Sequence, residues 1–347
     1  VFSSRADAIL EHPTHGPIAI LKERHPMLRR HPELVIPIGR AVLRHAVDRF
    51  RADRTDANAR ACMDLVELVT NLNREGLIQS DGQIALYAEL AQAAGELLSV
   101  AGDSVRVPLM ATFANVVDGL AQNADDPQMQ AWTSSLVHQL ADSLGRSDDG
   151  LALGKQYYEM ILPIDEAVYK QFEAEESTGE DQTLRRLQAG RRLALTYRGL
   201  DRYQDAVTIL TDLLTQAPQY IVLQVLAAET LQDWANSGAT EKFQHAISGS
   251  VPSGNATPVI WGWTRVCNAL ARSQSHVEML LDARHRLAAC RFAWSSTLSG
   301  EARLRQLRAA RRDLRLTTRI IPKASEPPWS EKYAQLLQDI EVELGKE

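Results

Sequence analysis

The sequence predicts an all-α protein in which antiparallel helix pairs stack in an array. Apolar residues recur at helical spacing from residue 38 to the end of the chain. No stretch of four or more residues alternates apolar and polar side chains with β-branched enrichment, so no sheet is predicted. Short polar segments rich in Gly, Asp and Pro separate the periodic stretches, and short connections place consecutive helices next to each other.

The first 150 residues predict a group of helices that follows an irregular start. Prolines punctuate residues 1–36, with Pro37 at the boundary, and they limit helices there to short turns. Beyond them the apolar stripe is clearest in residues 56–74, where Leu65, Val69 and Leu72 share one face. The predicted helices of this part are residues 38–51, 56–74, 84–100, 107–122 and 129–144.

The middle of the chain begins with a helix predicted over residues 151–173 and interrupted at Pro163, because proline removes a backbone donor. The most acidic run of the sequence follows at residues 173–181. We interpret it as a solvated loop whose carboxylates favour the N-terminus of the next helix, which is predicted from Gln182; an acidic binding tail is the alternative.

Residues 191–219 predict a helical hairpin made of two short amphipathic helices. The packing face of the first helix is formed by Leu193, Ala194 and Tyr197. The second helix has apolar positions at spacings of three or four, namely Tyr203, Ala206, Leu210 and Leu213, and Pro218 ends it. A hairpin of this size cannot bury its apolar face alone, so neighbouring helix pairs must cover it.

These positions resemble the tetratricopeptide repeat, a helix–turn–helix unit of about 34 residues. Gly190 stands where that pattern often has Trp, which is a departure from it. The resemblance implies a right-handed α-solenoid that is tetratricopeptide-like in its C-terminal half. It also implies that the chain binds a protein or peptide in a concave helical groove, rather than catalysing a reaction.

Two further stretches echo the hairpin. Ala283, Arg286, Leu287 and Ala288 repeat the spacing of the first helix, and Ala310, Leu314 and Pro322 repeat that of the second. Residues 221–249 are a degenerate copy whose packing positions are Ala227, Ala228, Leu231, Phe243, Ala246 and Ile247. Divergence from a true repeat and chance similarity between amphipathic helix pairs both explain these matches.

The C-terminal part follows a linker rich in Gly, Ser and Pro at residues 249–258. Helices are predicted at residues 259–271, 275–296, 301–321 and 329–344, the last with the polar face that a terminal capping helix needs. The predicted organisation is therefore an N-terminal helical region at residues 1–150, tetratricopeptide-like repeats at 151–250, and C-terminal helical repeats with a capping helix at 251–347.

Composition excludes several classes of protein. No run of eighteen apolar residues predicts a membrane span, and the net charge of −6 gives no general case for nucleic acid. Cys62, Cys267 and Cys290 sit in apolar helical patterns without CxxC spacing, so we predict buried free thiols and no zinc site.

The chain begins at Val1, so we expect a fragment or processed product. The cytoplasm is favoured, and the periplasm or secretion is the alternative if a leader has been removed.

No catalytic constellation is recognisable in the sequence. It contains no GxSxG, P-loop or HExxH motif, and no glycine-rich turn follows a strand. We therefore predict neither a cofactor nor a metal site, and no enzymatic activity of the chain on its own. A helical accessory region of a larger enzyme or secreted protein remains an alternative.

Arginine is the most uneven charged residue near the C-terminus. Residues 284–319 contain ten arginines against two acids, Glu301 and Asp313. Within residues 301–319 five arginines recur at steps of three or four on one helical face, which gives a cationic strip about 20 Å long. Such a strip is suited to an acidic peptide, a phosphate or a nucleic-acid backbone. The alternative is that acidic neighbours within the chain pair with these arginines.

The leading hypothesis is a non-catalytic protein–protein interaction scaffold. Its unidentified partner would dock against first-helix side chains, with arginines meeting carboxylates. Anion or nucleic-acid binding through the arginine-rich helix at 301–319 is the second hypothesis, although the net charge disfavours nucleic acid. The candidate partner-binding residues are Arg191, Tyr197, Arg198, Arg284, Arg291, Arg305, Arg308, Arg312, Arg315 and Arg319.

Overall fold

Helices form all the regular secondary structure in the described part of the chain, and no β-strand occurs there. A computed structural model describes residues 17–23, 28, 30–53, 55–74, 134, 138, 148–174, 180–249, 259–272 and 276–346. The chain divides into two compact units, Val1–Ala174 and Glu175–Glu347. The all-α prediction is therefore confirmed for these residues, whereas the division at residues 150 and 250 stays a prediction.

The first unit contains four of the described helices. They are α1 (Pro17–Lys22), α2 (Val35–Ala52), α3 (Asp56–Arg74) and α4 (Asp148–Ala174). Helix α2 packs against both α1 and α3, and its buried stripe runs through Val42, Leu43 and Phe50. The helices predicted at residues 84–100, 107–122 and 129–144 lie outside the described residues, apart from Ser134 and His138, which are helical.

The predicted interruption at Pro163 does not occur, because α4 continues through this residue. Proline removes the amide that would bond to the carbonyl of Glu159 one turn earlier. Pro163 lies on the exposed side of the helix, where water can bond to that carbonyl instead. Ile161 and Tyr169 are buried on the opposite side and hold the helix to its unit.

The second unit is a succession of eight described helices. They are α5 (Glu180–Gly199), α6 (Tyr203–Gln216), α7 (Ile221–Asn236), α8 (Lys242–Ser248), α9 (Gly262–Leu270), α10 (Val277–Ser295), α11 (Gly300–Ile320) and α12 (Trp329–Gly345). Each helix packs against the next, and α7, α8 and α10 also contact the helix after next. This packing between neighbours is what stacked helix pairs require.

The hairpin predicted at residues 191–219 is present as α5 and α6. Its packing positions Leu193, Ala194, Ala206, Leu210 and Leu213 are buried, with at most 2% of each exposed. The turn between the helices has Asp201 in the left-handed region at φ 57°, and its carboxylate accepts a hydrogen bond from the Tyr203 hydroxyl at 2.9 Å. The side-chain bond offsets part of the cost of this backbone conformation.

A buried amide joins α7 to the chain that enters α9. Gln224 is fully buried, and its Nε2 donates to the carbonyls of Pro218 and Val259 at 3.0 and 2.9 Å. Its Oε1 accepts a bond from the Trp261 amide at 2.8 Å. The helix predicted at residues 259–271 begins only at Gly262, because the backbone before it bonds to this side chain.

The C-terminal helix pair and the last helix share one apolar core. Leu281 and Ala288 of α10 pack with Leu307, Ala310 and Leu314 of α11. Helix α12 closes this cluster with Trp329, Tyr333, Leu336 and Ile340. The echo of the hairpin around residues 283–322 is thus a real packed pair, with its predicted apolar positions buried.

Candidate functional site

Two surfaces of the second unit carry four of the ten candidate residues, namely Arg198, Arg305, Arg312 and Arg319. The first is a set of ion pairs across α5, α7 and α10, which we call the ion-pair row: Arg198, Glu229, Asp233, Asp282 and Arg286. The second is a set of exposed arginines on α11, which we call the arginine stripe: Arg305, Arg312 and Arg319.

Arg198 of α5 begins the ion-pair row by reaching across to α7. Its Nε donates to Asp233 Oδ2 at 2.6 Å, and its Nη1 donates to Glu229 Oε2 at 2.7 Å. Burial lowers the pKa of Arg198, but Asp233 and Glu229 outweigh this effect and raise the pKa above its usual range. The guanidinium therefore remains charged and acts as a cross-link between the two helices.

Arg286 of α10 continues the row from the other side of Glu229. Its Nη2 lies 3.1 Å from Glu229 Oε1, and its Nε donates to Asp282 Oδ2 at 2.7 Å. Burial lowers the pKa of Arg286, but Glu229 and then Asp282 raise it by more. Each carboxylate oxygen of Glu229 thus contacts an arginine of a different helix. The row therefore links α5 to α7 and α7 to α10.

An aromatic side chain supports the row from beneath. Trp263 at the start of α9 is fully buried, and its indole Nε1 donates to Gln232 Oε1 of α7 at 2.8 Å. The Arg286 guanidinium lies 5.9 Å from the centre of the Trp263 ring, within the range of a cation–π contact. The neighbouring Trp261 is also buried, so both tryptophans of this pair belong to the interior.

The remaining candidates on α5 differ in their accessibility. Arg191 is exposed and precedes Arg198 by two helical turns, so both lie on the same side of the helix. Tyr197 is buried, and the Arg202 guanidinium lies 4.4 Å from the centre of its ring. Only Arg191 of these two can meet a partner without rearrangement.

Arg284 and Arg291, the candidates on α10, turn toward α11. Arg291 Nε lies 3.1 Å from Asp313 Oδ2, although the two atoms are not aligned for a hydrogen bond. Burial raises the pKa of Asp313, while Arg291, Arg312 and Arg284 act in the opposite direction. The charge of Arg284 also acts on Cys267 of α9, where it opposes the burial that raises the pKa of the thiol. Their role in partner binding stays a prediction. Because they lie in a helix interface, less of their side-chain surface is accessible to a partner.

The arginine stripe lies on the side of α11 that is opposite its core. Its three members are exposed and have no ion pair within the described part of the chain. The other arginines of this face do have partners. Arg308 pairs with Glu301 at 3.1 Å, and Arg315 pairs with Glu341 of α12 at 2.7 Å. Of the five arginines in the strip predicted from sequence, Arg308 and Arg315 therefore have ion pairs, and the three of the stripe have none in the described residues.

A buried polar cluster in the first unit escaped the sequence-based reasoning. Asp165 of α4 accepts a hydrogen bond from the Ser134 hydroxyl at 2.6 Å, and His138 Nε2 lies 3.4 Å from its other oxygen. The carboxylate of Asp165 thus bridges the serine hydroxyl and the histidine ring. Residues 134 and 138 are one helical turn apart and far from Asp165 in sequence, which hides the cluster from a motif search.

The acidic members of the ion-pair row were also missed. Glu229 and Asp233 are spaced by four residues on the degenerate repeat copy, and that spacing next to an arginine-bearing helix is the signal by which they could have been found. Within the ranges described above, no three His, Cys, Asp or Glu side chains are grouped closely enough to hold a metal ion. All three cysteines are buried free thiols, as predicted.

No protein-family model matches this chain, and no curated protein matches it significantly. The described helices include none that is both long enough and apolar enough to cross a membrane.

Proposed function

We propose that this chain is a non-catalytic, tetratricopeptide-like scaffold that binds a protein or peptide on the face shared by α5, α7 and α10. The observation that supports this proposal is the ion-pair row. It connects the first helices of three candidate repeat units side by side, through Arg198, Glu229 and Arg286. Side-by-side first helices are what the resemblance implies for a concave binding groove.

The chemistry of the row suits recognition of a polar or charged partner segment. Asp233, Asp282 and Arg286 each keep about a third or more of their side-chain surface exposed, at 36%, 40% and 36%. Their positions are already held by internal ion pairs, so a partner would lose little additional side-chain entropy on binding them. Arg191 adds an exposed cation beside the row.

The proposal is tested by selecting binders from a random peptide library against the intact chain. The selected peptides are then synthesised, their affinity is measured by calorimetry, and the protected amides are located by hydrogen exchange. We expect protection in α5, α7 and α10. Peptides that protect other helices, or a selection that yields no reproducible binder, would count against the proposed groove.

A pair of matched variants sharpens this test. Arg191→Glu reverses an exposed charge beside the row, and Arg185→Glu makes the same change six residues earlier, about 120° around the same helix. We expect the first variant to weaken selected acidic peptides by about tenfold and the second to change them by less than about twofold. Equal effects would mean that the peptides sense overall charge and not this face.

A further inference from the structure

We infer that the arginine stripe is a second docking surface, and that its occupant is an acidic amphipathic helix of a protein partner. This inference goes beyond the proposed function, because the stripe lies on α11 and shares no residue with the ion-pair row. The two surfaces can therefore succeed or fail independently of each other.

The spacing of the stripe favours a helical occupant. Arg305, Arg312 and Arg319 are seven residues apart, which places them about 10.5 Å apart in a nearly straight line. A facing helix that carries carboxylates at the same seven-residue period can meet all three along its length. In an extended β-strand alternate residues share a face, so its same-face spacings of about 6.6 and 13 Å do not match the spacing of the stripe.

The electrostatics of the surrounding face favour a short acidic segment over a long polyanion. Arg305, Arg312 and Arg319 are the exposed cations of this face without ion pairs in the described residues. Glu301 and Glu341 lie at its edge and pair with Arg308 and Arg315. A nucleic-acid strand that continues past Arg305 would meet Glu301, which lies one turn earlier and within about 40° of Arg305, whereas a short acidic helix that ends at Arg305 would not.

An apolar edge beside the stripe indicates that the occupant is amphipathic. Leu316 and Ile320 are exposed at 42% and 64%, and they are spaced by one helical turn. By the turn of about 100° per residue, both lie on one side of the stripe, together with Ala309. Adjoining exposed apolar residues mark interaction surfaces when they form a contiguous patch, and such patches are bordered by a polar rim. The partner therefore needs apolar residues along one side of its acidic face.

The test uses the intact chain and two synthetic peptides. One peptide is a helix with glutamates at every seventh position and leucines along one adjoining side. The other has the same composition in shuffled order, and a single-stranded RNA of mixed sequence is the third ligand. Affinities are measured by fluorescence anisotropy. We expect the ordered peptide to bind at least about fivefold more tightly than the shuffled one, since only the ordered peptide can form all the ion pairs at once.

Matched variants identify the surface that is responsible. The triple variant Arg305→Gln, Arg312→Gln, Arg319→Gln removes the stripe. The control, Arg60→Gln, Arg185→Gln, Arg272→Gln, removes the same charge at exposed positions elsewhere. We expect the stripe variant to bind the ordered peptide about tenfold more weakly, and the control to stay within about twofold of the parent. Circular dichroism of both variants checks that they remain folded.

Leu316→Ser distinguishes an amphipathic helix from a simple polyanion. It should weaken the ordered peptide by about threefold and leave the weaker RNA binding unchanged, because only the peptide has apolar side chains for this edge. Three results would overturn the inference. They are equal binding of ordered and shuffled peptides, RNA binding that is tighter than either, and an ordered-peptide affinity that the stripe variant leaves intact.

Discussion

The ion-pair row and the arginine stripe use the same residue type in opposite ways. In the row, Arg198 and Arg286 are held between carboxylates of neighbouring helices, and their charges stabilise helix packing. On α11 the arginines of the stripe project from an exposed face with no ion pair in the described residues. Arginine-rich sequence therefore does not identify a binding surface by itself, because the distribution of carboxylates decides which arginines are available.

The largest expected effect comes from removing the support beneath the row. Trp263→Ala deletes a fully buried side chain, together with its bond to Gln232. We expect the free energy of unfolding to fall by about 3–5 kcal/mol, as is usual for a large buried aromatic residue. Urea denaturation followed by circular dichroism measures this change. A loss below about 1 kcal/mol would contradict the supporting role given to the buried Trp263 side chain.

Breaking the row itself should have the next largest effect. Glu229→Ala leaves Arg198 and Arg286 each without one of their carboxylates, in a region that is partly buried. We expect a loss of about 2 kcal/mol, which is less than for a fully buried pair because the charges retain some contact with water.

Arg312→Ala provides the matched comparison, since it removes an arginine of the stripe. We expect it to change the unfolding free energy by less than about 0.5 kcal/mol. Equal losses for Glu229→Ala and Arg312→Ala would contradict the distinction between a structural row and an available stripe.

A smaller effect is expected from acid, through His285 next to the row on α10. Burial lowers the pKa of His285; Asp282 acts against this, and Lys332 and Arg286 add to it. The unfolded chain protonates this histidine near its ordinary pKa of about 6.5, whereas the folded chain keeps it neutral to lower pH. The stabilising contribution is therefore complete above about pH 6.5 and is lost as the pH falls toward the lowered pKa.

The measurement for His285 is the unfolding free energy as a function of pH. We expect His285→Gln to flatten the acid side of this profile, while His276→Gln, at an exposed position, leaves it as in the parent. Identical profiles for His285→Gln and the parent would assign the acid sensitivity to other groups.

The smallest effect is expected in the reactivity of two buried thiols, Cys267 of α9 and Cys290 of α10. Burial raises the pKa of Cys267 and of Cys290 to about 12. At about pH 8 both are therefore protonated and weakly nucleophilic. A disulfide reagent such as Ellman's should label these two positions only slowly in the native chain, and rapidly in denaturant. Fast native labelling of either one would mean that the α9–α10 region opens readily.

Local features of this fold were predictable from sequence. The buried positions Leu210 and Leu213 follow from helical periodicity, and the line through Arg305, Arg312 and Arg319 follows from seven-residue spacing alone. Both depend on residues of a single helix. The superhelical arrangement and the repeat family stay predictions, because they depend on how successive pairs are oriented.

The ion pairs between helices were not predictable in the same way. Arg311 and Arg312 are adjacent in sequence, yet Arg311 lies 3.4 Å from Glu341 while Arg312 has no ion pair in the described residues. The difference arises because a step of about 100° turns one side chain toward α12 and the other away from it. Which arginine is neutralised depends on a helix that follows in the chain, and residue pattern alone does not position that helix.

The glycine at the start of α9 has a consequence for engineering this chain. A Cβ at Gly262 would lie 2.4 Å from the Gly249 nitrogen, so the backbones at these two positions touch, and Gly262 also has a positive φ of 63°. Backbone contact therefore joins the two ends of the intervening segment. Lengthening a segment whose ends already meet costs only about 0.6 kcal/mol per doubling. A reporter domain or affinity tag inserted at residues 250–258 should thus be tolerated, provided that Gly262 and the contacts of Gln224 with Val259 and Trp261 are kept.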